Sequence, residues 1–208
     1  MTDTGRSAAQ LVIFAKAPVL GTVKTRLAAT IGDAAALAVY RRMLWRCTDR
    51  LRQGQWRLIL SVTPDATTNG SHDWPADIDL VGQGKGDLGA RMLRALQQAR
   101  PDAPVVVVGS DIPELAARHV TQAIKALETD KLVFGPSADG GFYLVGASAP
   151  PPQDIFAGVT WSSPSTLAQV IRNCALRPAL IDMLDDFDDM AAFARHRDNP
   201  DWASLLQG

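Results

Sequence analysis

The chain has 208 residues, 47% of them hydrophobic, and 21 basic against 22 acidic side chains give a formal net charge of −1. That length fits one generous domain with a sizeable core, and the balance is that of an ordinary folded globular protein, not a disordered one. Near-neutral charge argues against a nucleic-acid-binding surface as its main business, and no apolar run approaches the roughly 20 residues that span a bilayer.

The first ten residues, MTDTGRSAAQ, are small and polar without an apolar h-region, which reads as a flexible terminus and not as a secretory signal. Residues 11–208 are expected to form one domain working in the cytoplasm. LVIFAK at 11–16 reads as a strand buried on both faces, and so does RLILSV at 57–62. Between them, Leu37, Tyr40, Leu44, Cys47 and Leu51 recur at helical spacing from Asp33, which is placed to cap. DLVGQG near Asp79 is a weaker strand. Leu88, Met92 and Leu96 predict a helix ending before Pro101.

PVVVVGSD at 104–111 is the clearest strand, four valines running into a glycine. A helix is expected from Pro113 through Leu115, Val120, Ile124 and Leu127. KLVFGP at 131–136 and FYLVGA at 142–147 are further strands, so close together that the second is free to run in another direction. APPPQ at 149–153 is the one linker-like stretch. A helix from about Ser165 to Arg177 and a weak strand near Ala179 complete the pattern. Strands alternating with helices imply βαβ crossovers and a mainly parallel sheet, whose ligands sit beyond the carboxyl ends of its strands.

Cys47 and Cys174 occupy apolar helical positions and read as inert thiols, and His72, His119 and His196 lack ligand-like spacing, which argues against zinc. Four post-strand segments hold the candidate chemistry. KAPVLGTVKTRL at 16–27 brings Lys16, Lys24 and Arg26 together, with Gly21 permitting a close backbone approach. Such a cluster suits a diphosphate or triphosphate, or is a solvated basic loop. It has neither P-loop nor Rossmann spacing. Asp111 follows the valine strand, where it suits a hard divalent cation or caps the next helix. Asp139-Gly140-Gly141 is turn chemistry that also sets a carboxylate at the ligand edge. In LDDFDDM at 184–190, Asp186 and Asp188 share a side if the stretch is extended, and two such carboxylates want a cation between them. A solvated acidic turn is the alternative.

These segments, in this order, resemble the radical-SAM/selenodomain-associated transferase family, which includes arsenosugar-biosynthesis-type glycosyltransferases. More distantly they resemble the nucleotidyltransferases that make molybdenum-cofactor guanylate and the phospholactate-type guanylyltransferases. FAKAPVLGTVKTRL, GDLGARM, GSDIPEL, GPSADGGFYLVG and FAGVTWSSPSTL carry the likeness, which covers residues 11 to about 193. It implies a GT-A-like α/β fold, the three-layer sandwich of nucleotide-diphospho-sugar transferases, mostly parallel with a small antiparallel addition. It also implies that Lys16, Lys24 and Arg26 hold phosphates, that Asp111, Asp186 and Asp188 ligate Mg²⁺ or Mn²⁺, and that Asp139 faces the acceptor or sugar as general base. Asp186 and Asp188 match the aspartates of a D-V-D-T-P-E-D pattern. Asp189, Met190, Ala191 and Ala192 depart from the rest of it.

The expected activity is metal-dependent transfer of a sugar from a nucleotide sugar to a small acceptor. The alternative is nucleotidyl transfer from a nucleoside triphosphate to a phosphorylated small molecule with release of pyrophosphate. A non-catalytic nucleotide-binding protein is the third reading, since fold does not fix function.

Overall fold

A computed structural model describes residues 9–69, 73–100, 102–196 and 198–206. Most of the anticipated flexible terminus lies outside them, as do His72 and Pro101, but Ala9 and Gln10 already pair in the first strand.

Among the described residues seven strands form one sheet: β1 (Ala9–Lys16), β2 (Trp56–Thr63), β3 (Asp79–Gly82), β4 (Val105–Gly109), β5 (Leu132–Pro136), β6 (Phe142–Ala147) and β7 (Ala179–Leu180). Their order is β3-β2-β1-β4-β6-β5-β7. β6 alone runs antiparallel, between β4 and β5. This is the strand expected to be free in direction. A short turn at its start joins it directly to β5, whereas the parallel neighbours need crossovers.

The valine run shows why the sheet is buried twice over. Side chains alternate along a strand, so Val106 and Val108 join one core cluster while Val105 and Val107 join the other. Leu11, Ile13 and Ala15 of β1 face the first side, and Val12 faces the second. Helix α2 (Asp33–Leu51) covers the first face with Tyr40, Leu44, Cys47 and Leu51, and α4 (Ala117–Ala126) adds Val120 and Ala123. Helices α3 (Leu88–Leu96) and α5 (Thr166–Asn173) cover the second face with Met92, Leu96 and Val170. The result is three layers.

A third cluster lies beside these layers. Leu27 of α1 (Thr25–Ile31) and Val39 and Met43 of α2 pack on Phe187, on Ala192 of α6 (Met190–His196), and on Trp202 and Leu205 of α7 (Pro200–Leu206). The chain's last two helices are thereby docked on its first two.

Several boundaries differ from expectation. Gly32 takes the N-cap of α2 at φ +85°, so Asp33 sits inside the first turn, where its charge favours the helix dipole without capping. α4 begins at Ala117, four residues after Pro113. α5 stops at Asn173, leaving Cys174 half-buried just past its end, whereas Cys47 is fully buried and its thiol is pushed up to about 12 by burial. Among the described residues, no helix is long and apolar enough to cross a membrane.

Candidate active site

The strand order reverses between β1 and β4: β2 and β3 lie on one side of β1, and everything later lies on the other. A crevice opens at such a switch point, beyond the carboxyl ends of the strands. Lys16 ends β1 there, and Asp111 follows β4 by two residues.

The loop after β1 is held at both ends. The Tyr40 hydroxyl donates to the Lys16 carbonyl at 2.7 Å and accepts from the Lys16 amide at 2.9 Å. Burial pushes that phenol up to about 12, so it stays protonated in the brace. The Lys16 ammonium donates to the Thr22 carbonyl at 2.7 Å. Gly21 takes φ +73°, and the space its missing Cβ would fill holds only Asp33 Oδ2, at 3.7 Å. Its glycine therefore serves the turn conformation rather than a tight contact with the rest of the protein.

Lys24 stands before α1 with φ +48° and ψ +45°, a left-handed conformation costing a lysine on the order of 1 kcal/mol. The cost is met by what its ammonium reaches. Lys24 Nζ donates to Asp111 Oδ2 at 3.1 Å and to Asp188 Oδ1 at 2.7 Å. The Lys24 side chain is 5% exposed, against 37% for Asp111 and 30% for Asp188. Burial alone would lower the Lys24 pKa, but the two carboxylates hold it above the ordinary lysine range. Burial likewise opposes the Asp188 charge, and Lys24 and Arg26 overcome it and hold that carboxyl low. Arg26 reaches the other Asp188 oxygen at 3.3 Å from an exposed position.

Asp111 does not cap a helix, since α4 starts six residues later, and its carboxylate is left to the crevice. The acidic stretch reaches it through the backbone. Leu184 accepts from the Ala138 amide and donates its own amide to the Pro136 carbonyl, extending the sheet beyond β5. The Phe187 amide then donates to the Asp111 carbonyl at 3.0 Å. Phe187 is fully buried in the third cluster, and Asp186 and Asp188, on either side of it, line one cavity. The period-two expectation thus describes the geometry. The neighbouring aspartates have other duties: Asp185 is buried against Arg195 and His196, and Asp189 accepts the Ala192 amide at 2.8 Å to cap α6. Asp189 thereby starts a helix without the threonine and proline of the usual pattern.

Asp139 lies exposed at the β5–β6 turn, accepting the Gly141 amide at 2.8 Å, and lines the same cavity as Asp111, Asp186 and Asp188. Gly140, at φ +88°, lies directly against the Pro164 carbonyl, which leaves no room for a side chain. Among the described residues Asp186 makes no ion pair of its own, and Lys24 acts on it only at a distance. Burial, reinforced by Asp188, Asp111 and Asp139, raises its pKa from 3.8 to about 7.

Three adjoining cavities of about 230, 320 and 250 Å³ meet at Asp111. The first holds Lys16, Lys24 and Arg26; the third holds Asp139 and Asp186. A fourth, about 210 Å³, lies elsewhere, among Pro150, Pro151, Pro152 and Leu176. All eight residues singled out from the sequence are therefore at the carboxyl edge, seven of them lining the crevice and Gly21 in the loop that closes it. Tyr40 and Phe187, which position them, had read only as packing positions or not at all.

Among the described residues no group of three or more histidine, cysteine, aspartate or glutamate side chains comes together tightly enough to hold an ion alone. Two carboxylates converging on one cation with open space beyond them suit a hard divalent ion, which completes its octahedron with phosphate oxygens and water. The donor set fits that use, with Lys24 now standing at the shared point.

The family model described as "Uncharacterized protein conserved in bacteria (DUF2064)" matches residues 47–163. No curated protein matches the chain. Among solved structures, a Desulfovibrio desulfuricans G20 protein provisionally named a nucleotide-diphospho-sugar transferase is 24% identical, with TM-score 0.78 and 96% of each chain covered. Rv0371c from Mycobacterium tuberculosis H37Rv, solved as a complex with manganese, is 16% identical, with TM-score 0.54 over 98% of this chain and 100% of that one. The 4-diphosphocytidyl-2C-methyl-D-erythritol synthase of Anaerococcus prevotii DSM 20548 is 13% identical, with TM-score 0.50 over 92% and 99%. At these identities the likeness is one of fold, and the fold is the nucleotide-diphospho-sugar transferase architecture expected from the sequence.

Proposed function

This chain belongs to the DUF2064 family, and from that premise we propose that it is a divalent-metal-dependent transferase moving a sugar from a nucleotide-sugar donor to a small acceptor. The observation that carries the reading is the meeting of Lys24, Asp111 and Asp188 at the switch point, with Lys16 and Arg26 on the same cavity. A pyrophosphate and a hard cation together match that charge set. The manganese bound by the Mycobacterium tuberculosis relative supports a metal of this kind.

Asp111 and Asp188 would hold the ion, with Asp186 beside them. Bound there, Mg²⁺ or Mn²⁺ supplies Lewis-acid neutralisation of the diphosphate. Lys24, released from its carboxylates, would turn its ammonium to the phosphates. Lys16 and Arg26 would grip them from the loop, Arg26 with a planar fork suited to paired oxygens. These cations would stabilise charge growing on the departing nucleoside diphosphate, the kind of help that lowers such a barrier most. Asp139 would take the proton of the acceptor hydroxyl.

A thermal-shift panel of nucleotide sugars and nucleoside triphosphates, each with and without Mg²⁺ or Mn²⁺, tests the reading. A true donor at 100 times its Kd should stabilise the protein by about 2.7 kcal/mol, and only with the ion present. Asp111→Asn should stay folded by circular dichroism, with an unliganded melting point lowered by the loss of one Lys24 partner, and lose the metal-dependent shift. Pyrophosphate appearing as product would select nucleotidyl transfer instead. No stabilisation by any nucleotide with either ion would leave the fold without the proposed enzyme.

A further inference from the structure

The third cavity is unlike the one beside it. Lys16 and Lys24 line the first cavity and not this one, where among the described residues Arg26, in contact with Asp188, is the one cation against four carboxylates. With Asp111 and Asp188 committed to a cation, the charges left facing the space are Asp139 and Asp186. Carboxylates outnumber cations there, and apolar surface lies beside them. Phe142 and Trp161 stand edge to face, with ring centroids 6.4 Å apart and planes at 62°, and Leu88 and Met92 of α3 continue the wall. Phe156 buttresses both rings from behind, at 6.5 and 5.9 Å, so the aromatic surface is fixed in place.

A pocket with carboxylates on one side and rings on the other selects by charge and by shape. A phosphate or carboxylate brought into it would meet the carboxylates of Asp139 and Asp186, and like charges brought together disfavour binding. A hydroxyl, by contrast, donates to a carboxylate, and a ring face accepts an apolar surface. Resting on the glycosyl-transfer reading above, we propose that the acceptor is an uncharged hydroxylated molecule with one apolar face, hydroxyls on Asp139 and Asp186 and that face on Trp161 and Phe142. In the transfer step the acceptor oxygen forms the new bond to the anomeric carbon of the donor sugar. The bond from that carbon to the β-phosphate oxygen breaks, its electron pair leaves with the nucleoside diphosphate, and the hydroxyl proton passes to Asp139. The same pocket disfavours the phosphorylated acceptor that nucleotidyl transfer requires.

The test uses the full-length protein, first titrated with uridine and guanosine diphosphates plus Mn²⁺ to establish nucleotide binding separately. Phenyl β-D-glucopyranoside and phenyl β-D-galactopyranoside are then compared with glucose 6-phosphate and 3-phosphoglycerate by saturation-transfer NMR on the nucleotide-bound protein. At least one neutral glycoside should bind at least ~10-fold more tightly than either anion. Asp139→Asn and Asp186→Asn should narrow that gap by strengthening the anions, and Trp161→Ala should weaken the glycosides alone. Circular dichroism confirms folding, and since Asp139 is exposed its variant serves if Asp186→Asn is unstable. An anion binding as well as the glycosides, or neither glycoside binding while nucleotide does, overturns the acceptor assignment and leaves the donor reading standing. Absence of nucleotide binding is a different failure, and it removes the parent reading as well.

Discussion

Lys24 combines a left-handed backbone with a buried ammonium, and both features aim one positive charge between Asp111 and Asp188. That charge stands where a divalent ion would bind, so lysine and metal compete until a phosphate offers the lysine a new partner. Lys24→Met should therefore bind Mn²⁺ without nucleotide, on the order of tenfold more tightly than the parent, equivalent to about 1.4 kcal/mol of relieved repulsion. Electron paramagnetic resonance of free Mn²⁺ measures it, and parent affinity equal to or above the variant's would refute the competition. Asp186 supplies a second prediction. Its pKa of about 7 in the folded protein exceeds the ordinary 3.8, so between those values the folded state holds the more protons. Its contribution to stability is complete below the lower value and is lost as pH rises through the upper one. From roughly pH 5 to pH 8 the unliganded melting temperature should fall less in Asp186→Asn than in the parent. Parallel curves would mean that Asp186 is not the group responsible. Spacing and residue type were enough to pick out these aspartates and cations. Tyr40 was legible only as one apolar position of a helix, because nothing local distinguishes a tyrosine that packs from one that braces a loop 24 residues away.

Among elements, the strands were the most readable. A run such as Val105–Gly109 fills both faces of a sheet and has no competing period. Helices α1, α6 and α7 were not seen, and all three are seven residues long. Helices that short are marginal from local propensity and persist through packing, here in the third cluster. The start of α4 was misjudged because proline early in a helix is a good signal that tertiary structure overrode. The docking of α7 is where element and site meet. Trp202 is fully buried 5.2 Å from the Phe187 ring, and Asp201 is held by Arg46 and by Arg50. Trp202→Ala should cost about 3–5 kcal/mol, read from the urea midpoint. Because Phe187 lies between the two site aspartates, Mn²⁺ affinity in the presence of nucleotide should drop as well. Lost stability with unchanged affinity would show that the C-terminal helices only stabilise.

At the scale of the whole molecule, sequence showed a basic run near one end and an acidic run near the other, without showing that they touch. Lys24 and Asp188 are 164 positions apart. Their meeting depends on strand order, with β4 at the centre and β1 beside it, and on residue 184 pairing beyond β5 so that the chain turns back to Asp111. Strand order follows from the packing of all the layers at once, and no window of sequence contains it. The aromatic wall of the third cavity escaped for the same reason: Phe142 opens β6, Trp161 precedes α5, and they meet only after folding.

The amide of Phe187 bonded to the carbonyl of Asp111 also has a consequence in time. A ribosome making this protein releases every strand of the sheet before it releases Asp186 and Asp188. A nascent polypeptide halted by a stop codon after Leu184 also lacks Phe187, Ala192, Trp202 and Leu205 of the third cluster, so it should be less stable than the full chain and show no Mn²⁺-dependent stabilisation by nucleotide. Were such a fragment to respond like the full protein, the late aspartates would be dispensable. Otherwise the pocket matures only after Asp188 has been made, and a copy that has not reached it cannot capture substrate.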